Sequence, residues 1–244
     1  MPPRKDRADR LLVARGLFES RAKAQAAIEA GLVTAGDVAV RKASEAIPLD
    51  AALNATPAHP YVSRGGVKLA AALDHFGFDP KARACLDVGA STGGFTQVLI
   101  ERGAKTVYAI DVGHGQLHAS LRTRQQVVSL EDTDIRSLVA AQLGDPPDLI
   151  VVDVSFISLK LVLPAALVLA KPAAQLVALI KPQFEAGRTH LKRGIVRDPH
   201  IHAAVCDDIA AFTATLGWRV IAVIPSPIAG GDGNVEFLLG AARD

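Results

Sequence analysis

Short apolar runs recur along this chain from about residue 62 and limit the folds open to it. Continuous apolar segments of strand length, alternating with helical segments, predict a parallel sheet covered on both faces. The last two runs are joined by AGGDGN, a glycine-rich connection suited to an antiparallel hairpin. The runs are ACLDVGA, TVYAID, QVVSL, DLIVVDV, AQLVALIK, WRVIAVIPSPI and VEFLLGA. The sequence therefore predicts an α/β domain with a mostly parallel seven-stranded sheet and an antiparallel last strand.

A smaller unit is predicted ahead of this domain. DRADRLLVARG and SRAKAQAAIEAG predict two short helices that end at Gly16 and Gly31, and LVTAGDVAV predicts two short strands around a turn. TPAHPY carries two prolines and no periodic pattern, which is typical of a linker. The predicted organisation is a small α+β domain over 1–57, a linker over 58–63 and the α/β domain over 64–244.

Basic residues are concentrated at the beginning of the chain. Residues 1–23 contain seven Lys and Arg against three Asp and Glu, a net charge of +4. Such a segment indicates a polyanionic partner only weakly, and an ordinary solvated pair of helices explains it as well. Basic side chains that contact phosphates fix position without reading sequence. The candidate RNA contacts are Arg4, Arg7, Arg15, Arg21, Lys23 and Arg64.

Composition excludes several classes of protein. No apolar run is long enough to cross a bilayer, and the charges in MPPRKDRADR come too early for an export signal. Cys85 and Cys206 lie in apolar contexts without metal-ligand spacing, so we expect a reduced, cytoplasmic protein without a metal. With 8 Phe, 2 Tyr and 1 Trp, a broad aromatic platform for single-stranded RNA is not expected.

The segment LDVGASTGGF, residues 86–95, predicts a cofactor site. Its glycines allow a tight turn between a strand and a helix, although the spacing differs from G-x-G-x-x-G. Asp87 suits the ammonium group of S-adenosylmethionine, Asp111 is placed for a ribose diol, and Asp134 for the adenine amino group. The alternative is a plain glycine-rich turn with capping aspartates. The candidate cofactor contacts are Asp87, Gly89, Ala90, Ser91, Thr92, Gly93, Gly94, Phe95, Asp111, Val112, Asp134, Ile135 and Asp153.

Four polar residues are predicted to converge beside that cofactor. Asp153 and Lys181 end the fourth and fifth strands, Glu236 begins the last, and Lys68 precedes the first strand on a helix. Because ligands bind outside the carboxyl ends of such strands, the four should be neighbours. A ribose 2′-hydroxyl needs help to lose its proton, and we assign Lys181 as the base, oriented by Asp153 and Glu236. A charged Lys181 would instead stabilise the developing alkoxide, and unconnected salt bridges at strand ends are a further alternative.

Other methylation targets fit less well. Methylation of pyrimidine C5 needs a cysteine nucleophile, yet Cys85 lies in a predicted core strand and Cys206 in an apolar helix. Amino-group methylation typically uses an Asn/Asp-Pro-Pro-aromatic loop after the fourth strand. The corresponding residues here, DVSF from Asp153, lack the prolines. The residues therefore favour a ribose oxygen.

Over nearly its whole length the chain resembles the TlyA-type (haemolysin A) ribosomal RNA 2′-O-methyltransferases. The shared motifs are YVSRGG-K, LD-GASTGGFT, DVGHGQL, VDVSFISL, LIKPQFE, GIVRDP and SPIAGGDGNVEF. The resemblance implies an FtsJ-like, Rossmann-like S-adenosylmethionine-dependent domain after a uS4-like RNA-binding domain. It also implies a catalytic tetrad at Lys68, Asp153, Lys181 and Glu236, and RNA contacts at Arg7, Arg21 and Lys42. The implied substrate is a cytidine ribose, and because longer members also act on the small subunit, we expect the large one here.

Two rival functions come from different classes. The haemolysin name implies a membrane-active protein, which should show channel-lining amphipathic segments or a long apolar span. The sequence has neither. The second rival is a catalytically idle ribosomal RNA-binding assembly factor that keeps the fold. The presence of all four tetrad residues argues against this rival.

Overall fold

The computed structural model describes residues 4–230 and 233–243, and the chain divides into two compact units, 1–60 and 61–244. Across the described residues, no helix combines the length and apolar character needed to cross a bilayer.

The first unit is a small α+β structure. Its helices are α1 (Ala8–Ala14) and α2 (Arg21–Glu29), and Ser20 caps α2 by accepting a hydrogen bond from the Lys23 N–H. Its strands are β1 (Lys5–Arg7), β2 (Val33–Ala35), β3 (Val38–Ala39), β4 (Ala46–Pro48) and β5 (Leu53–Ala55). β1 pairs with β4, and β2 lies between β3 and β5, all antiparallel. The two helices and the β2–β3 turn match the sequence prediction, whereas β1, β4 and β5 were too short to recognise from their pattern.

The second unit contains a seven-stranded sheet in the order β11-β12-β10-β9-β6-β7-β8. Its parallel strands are β6 (Ala84–Val88), β7 (Thr106–Ile110), β8 (Val127–Leu130), β9 (Leu149–Val152) and β10 (Gln175–Ile180). β12 (Phe237–Ala242) runs antiparallel between β10 and β11 (Arg219–Pro225). The predicted sheet is confirmed, including the antiparallel last strand, which begins one residue after Glu236.

Helices cover both faces of this sheet. They are α3 (Gly65–Phe76), α4 (Gly94–Glu101), α5 (Ala119–Arg122), α6 (Leu159–Leu167), α7 (Pro182–Glu185) and α8 (Pro199–Thr215). One core packs under α3 and α4, and a larger one under α6 and α8. The connection from β8 to β9 is not the helix that strict alternation predicts: it contains only two 3₁₀ turns, Ile135–Ser137 and Ala140–Gln142. The sequence GDPP that follows them is unfavourable to a helix.

Candidate active site

The glycine loop holds the backbone of two strand ends close together. Gly89 follows β6 with φ +83°, and a side-chain carbon there would lie 2.4 Å from the backbone oxygen of Asp153. Only glycine permits both this conformation and this approach. The carboxyl ends of β6 and β9 therefore meet at one place on the sheet edge, as the parallel topology predicts.

A cavity of about 550 Å³ opens beside this loop, at the carboxyl ends of the parallel strands. It brings together predicted cofactor residues from four strand ends. They are Gly89, Ser91, Asp111, Val112, Asp134, Ile135 and Asp153. Ala90, Thr92, Gly94 and Phe95 line an adjoining cavity of about 180 Å³, and Gly93, with φ +97°, is the N-cap residue of α4.

Backbone and side-chain contacts hold the two acidic residues of the large cavity in place. Asp111 accepts hydrogen bonds from the backbone N–H groups of Ser91 and Gly113, both at 2.7 Å. Asp134 begins a 3₁₀ turn, and Arg136 Nη2 lies 2.6 Å from its Oδ2. The Arg136 guanidinium lowers the pKa of Asp134, so this carboxylate enters the cavity ionised.

Asp87 is completely buried and lines none of the three cavities described in this region. Its Oδ2 accepts a 2.6 Å hydrogen bond from the Thr96 hydroxyl, while its Oδ1 has no partner among the described residues. Burial raises the pKa of Asp87 to about 7, against the opposing hydrogen bond from Thr96. An unsatisfied buried carboxylate at a cofactor loop is the kind of site that a cationic group of a ligand satisfies.

The four predicted catalytic residues form two ion pairs. Lys181 Nζ lies 2.6 Å from Asp153 Oδ1 and donates a 2.9 Å hydrogen bond to Ser155 Oγ. Lys68 Nζ donates to Glu236 Oε2 at 2.5 Å. Glu236 therefore pairs with Lys68 and not with Lys181, contrary to the orienting role expected from the sequence. The reason is that α3 packs against β12, which places Lys68 directly opposite Glu236.

All four predicted catalytic residues line one or both of two cavities that have Lys68 and Lys181 in common. The 180 Å³ cavity is lined by Lys68, Asp153 and Lys181, and a third cavity, of about 410 Å³, by Lys68, Lys181 and Glu236. Both lysines are more than nine-tenths buried. Charged amines are rarely buried to this degree unless they are paired. Paired, buried amines beside an open cavity are typical of catalytic sites.

The structure adds residues that the sequence prediction missed. Ser155 contacts Lys181, and its place two residues after Asp153 in DVSF was the available signal. Thr96 holds Asp87. A side-chain carbon at Gly230 would lie 2.0 Å from Glu236 Oε1, so the absence of a side chain at Gly230 lets the backbone approach this carboxylate. In the part of the chain that the structure describes, no three His, Cys, Asp or Glu side chains are grouped to hold a metal ion.

Several of the predicted RNA contacts in the first unit already have partners within it. Arg7 and Arg21 both bind the carboxylate of Asp9. Arg15 donates to the backbone carbonyls of Leu49 and Ala51, and Lys23 pairs with Glu19. Arg4 and Lys42 are exposed, without an ion pair among the described residues, and Arg64 immediately precedes α3.

The sheet order, the glycine loop and the acidic strand ends together define a Rossmann-like, S-adenosylmethionine-dependent methyltransferase. The fold is shared with a SAM dependent methyltransferase from Aquifex aeolicus at 18% identity and a TM-score of 0.52, over 75% of this chain and 94% of that one. The profile of the FtsJ-like methyltransferase family matches residues 61–243, and the chain belongs to that family.

Two relatives match over nearly the whole chain, which confirms the resemblance to the TlyA-type enzymes. The 16S/23S rRNA (cytidine-2′-O)-methyltransferase TlyA of Mycobacterium tuberculosis is 44% identical over 239 residues, 97% of this chain and 89% of that protein. A solved structure from Streptococcus thermophilus, described as a "putative hemolysin", is 41% identical with a TM-score of 0.79, over 98% of this chain and 89% of that one.

The residues present fit S-adenosylmethionine. Asp111 and Asp134 present carboxylates to the large cavity, which suit the hydroxyls and the amino-purine of that cofactor. Asp87, two residues before Gly89, keeps one oxygen without a partner among the described residues, although it lines none of the three cavities.

Proposed function

We propose that this methyltransferase modifies a ribose 2′-hydroxyl, that of a cytidine, in ribosomal RNA. The observation that carries the proposal is the buried Lys181–Asp153 ion pair, which faces the cavity next to the glycine loop. A base methyltransferase of the C5 type would need a free thiol there. Cys85 and Cys206 are both buried, and burial raises their pKa values to about 12 and about 11.

Lys181 acts on the substrate hydroxyl. The contacts with Asp153 and Ser155 fix its amine, and an amine has one more direction available for the 2′-oxygen. A neutral Lys181 accepts the hydroxyl proton, whereas a charged Lys181 donates a hydrogen bond to the developing alkoxide. S-adenosylmethionine, when bound, supplies a methyl group activated on a sulfonium.

The Lys68–Glu236 pair supports the same cavity from its other side. Lys68 lines both smaller cavities, so its charge faces the place where the alkoxide forms. Glu236 balances this charge and holds the amine in position. In this proposal Asp153 and Glu236 are positioning residues, one for each lysine.

The first unit is proposed as the RNA-binding part, a uS4-like domain over 1–57 that a linker over 58–63 joins to the catalytic domain over 64–244. Support comes from its basic composition and from the Mycobacterium relative, whose name specifies ribosomal RNA of both subunits. We expect the large subunit to be the preferred substrate of this chain.

The test is transfer of a radiolabelled methyl group from S-adenosylmethionine to purified large and small ribosomal subunits. Lys181→Ala should lower the rate constant by about 100-fold or more, because it removes the group that handles the proton. Lys171→Ala is the matched control, since Lys171 also pairs with an aspartate, Asp148, but precedes β10 at the opposite edge of the sheet.

The product is mapped by primer extension sensitive to ribose methylation. Label on a base, or undiminished label with Lys181→Ala, would contradict the mechanism. An absence of label on either subunit would favour the idle assembly factor. Erythrocyte lysis by the purified protein that survives Lys181→Ala would favour a membrane activity.

A further inference from the structure

A strongly basic segment lies in the catalytic unit, outside the residues assigned above. RTHLKRGIVR, residues 188–197, contains Arg188, Lys192, Arg193 and Arg197 and no acidic residue. The first carboxylate after it, Asp198, caps α8 by accepting a hydrogen bond from the His200 N–H. This segment, the basic hairpin, therefore has no acidic residue of its own to balance its charge.

The tip of the basic hairpin is a tight two-residue turn. Lys192 and Ile195 exchange backbone hydrogen bonds at 3.0 and 3.2 Å across Arg193 and Gly194. Arg193 has φ +54° and Gly194 φ +80°, and this pair of left-handed residues is characteristic of a type I′ turn. Arginine is an unusual residue at such a position, where Asn or Gly is normal. The turn leaves Lys192 and Arg193 exposed.

The basic hairpin also forms part of the wall of the tetrad cavity. Leu191 and Gly194 line the 410 Å³ cavity together with Lys68, Lys181 and Glu236. The exposed cations between these two residues, Lys192 and Arg193, therefore lie at the rim of the space in which the substrate hydroxyl would meet Lys181.

No carboxylate among the described residues neutralises the exposed charges of the hairpin. Within the described residues, Lys192, Arg193 and Arg197 form no ion pair. Two other lysines of the same unit do: the exposed Lys105 pairs with Asp145 and the half-buried Lys160 with Asp208, each at 2.6 Å. A group of unpaired cations beside a catalytic cavity creates a local positive potential that attracts an anionic ligand.

We propose that the basic hairpin binds the RNA phosphates that flank the target ribose. The proposal rests on the function proposed above, because a ribose at Lys181 carries one phosphate on its 5′ side and one on its 3′ side. Lys192 and Arg193 hold these phosphates at the rim of the cavity and so fix the sugar in register with the tetrad. Such contacts position the nucleotide without reading its base.

The test measures RNA binding directly, so it does not depend on methyl transfer. The fluorescently labelled full chain is titrated with large ribosomal subunits at several salt concentrations, and Lys192→Gln/Arg193→Gln is compared with the wild type. Loss of two phosphate contacts should raise the dissociation constant by about tenfold and reduce the slope of log K against log salt by about two. Lys192→Arg/Arg193→Lys, which keeps both charges, should restore most of the affinity.

The control removes two charges from the other edge of the sheet. Lys81 and Arg124 are exposed, precede β6 and β8, and have no ion pair among the residues described. Lys81→Gln/Arg124→Gln should leave the dissociation constant and the salt slope near those of the wild type. Equal losses in the two double variants would show a general effect of net charge and overturn the proposal.

Two further outcomes separate this proposal from others. An unchanged dissociation constant and salt slope for Lys192→Gln/Arg193→Gln would overturn the hairpin contact even where ribosomal RNA is methylated normally. A reduced salt slope without any methyl transfer by the wild type would support the contact and refute the proposed function. Loss of binding to phosphatidylglycerol vesicles alone, with RNA binding intact, would assign the hairpin to a membrane and overturn the proposal.

Discussion

Among the described residues, each unit of the chain has one completely buried aspartate, and the surroundings of the two are opposite. Asp9 accepts hydrogen bonds from Arg7, Arg21 and Gln25, whereas Asp87 is held by Thr96 and its Oδ1 has no partner among the described residues. Hydrogen bonds from Arg7 lower the pKa of Asp9, and burial raises the pKa of Asp87 to about 7. A buried carboxylate that is paired with cationic side chains of the same unit stabilises the fold. A buried carboxylate without such partners does not, and its presence indicates a functional role.

The largest effect is expected at Asp9. Asp9→Asn removes the charge from a site that two guanidinium groups surround and should destabilise the first unit by about 3 kcal/mol. Amide hydrogen exchange of α1 and α2 in the full chain measures this loss. Asp6→Asn is the control, because the Asp6–Arg10 pair is exposed at 3.9 Å and contributes little. Equal losses of stability in Asp9→Asn and Asp6→Asn would show that the Asp9 cluster contributes no more than an exposed ion pair.

At Asp87 the same substitution should not destabilise the protein. Asp87→Asn replaces a buried, half-satisfied carboxylate with a neutral amide, so the free energy of unfolding at pH 8 should stay level or rise. Affinity for S-adenosylhomocysteine, which keeps the ammonium group, should fall by about tenfold, the loss of one charge-assisted contact. Calorimetric titration and thermal unfolding measure the two quantities. A variant that loses stability as Asp9→Asn does would place Asp87 among the structural carboxylates.

The active site also shows how much of its geometry could be predicted from the sequence. Strand-end positions were enough to predict that Asp153, Lys181 and Glu236 share one edge of the sheet, because the ends of parallel strands meet there and an antiparallel strand begins there. Lys68, on the helix before the first strand, was predicted to complete the group. The pairing of Glu236 with Lys68 could not be predicted. It depends on how α3 packs against β12, between residues 168 positions apart in the chain.

A similar limit applies to the basic residues. Charge counting selected Arg7 and Arg21 as RNA contacts, but it cannot show that both bind a buried aspartate of the same unit. It also overlooked the hairpin over 188–197, whose cations are scattered among apolar residues. Whether a cation is available to a ligand depends on its neighbours in space, and local sequence does not record them.

The smallest expected effect, counted per pH unit, is a pH dependence of stability that has opposite signs in the two units. Asp9 has a lowered pKa in the folded chain, so its stabilisation is present above pH 4 and is lost as the pH falls below that value.

Asp87 has a raised pKa of about 7, so between about pH 4 and pH 7 the folded chain binds its proton more tightly than the unfolded chain does. Stability from this group therefore falls as the pH rises through that window, by about 1.4 kcal/mol per pH unit at most. Asp87→Asn should remove this slope, and thermal unfolding of both proteins from pH 5 to pH 8 measures it. Parallel pH profiles of the wild type and Asp87→Asn would mean that Asp87 is ionised throughout, and the difference between the two buried aspartates would then lie in their contacts alone.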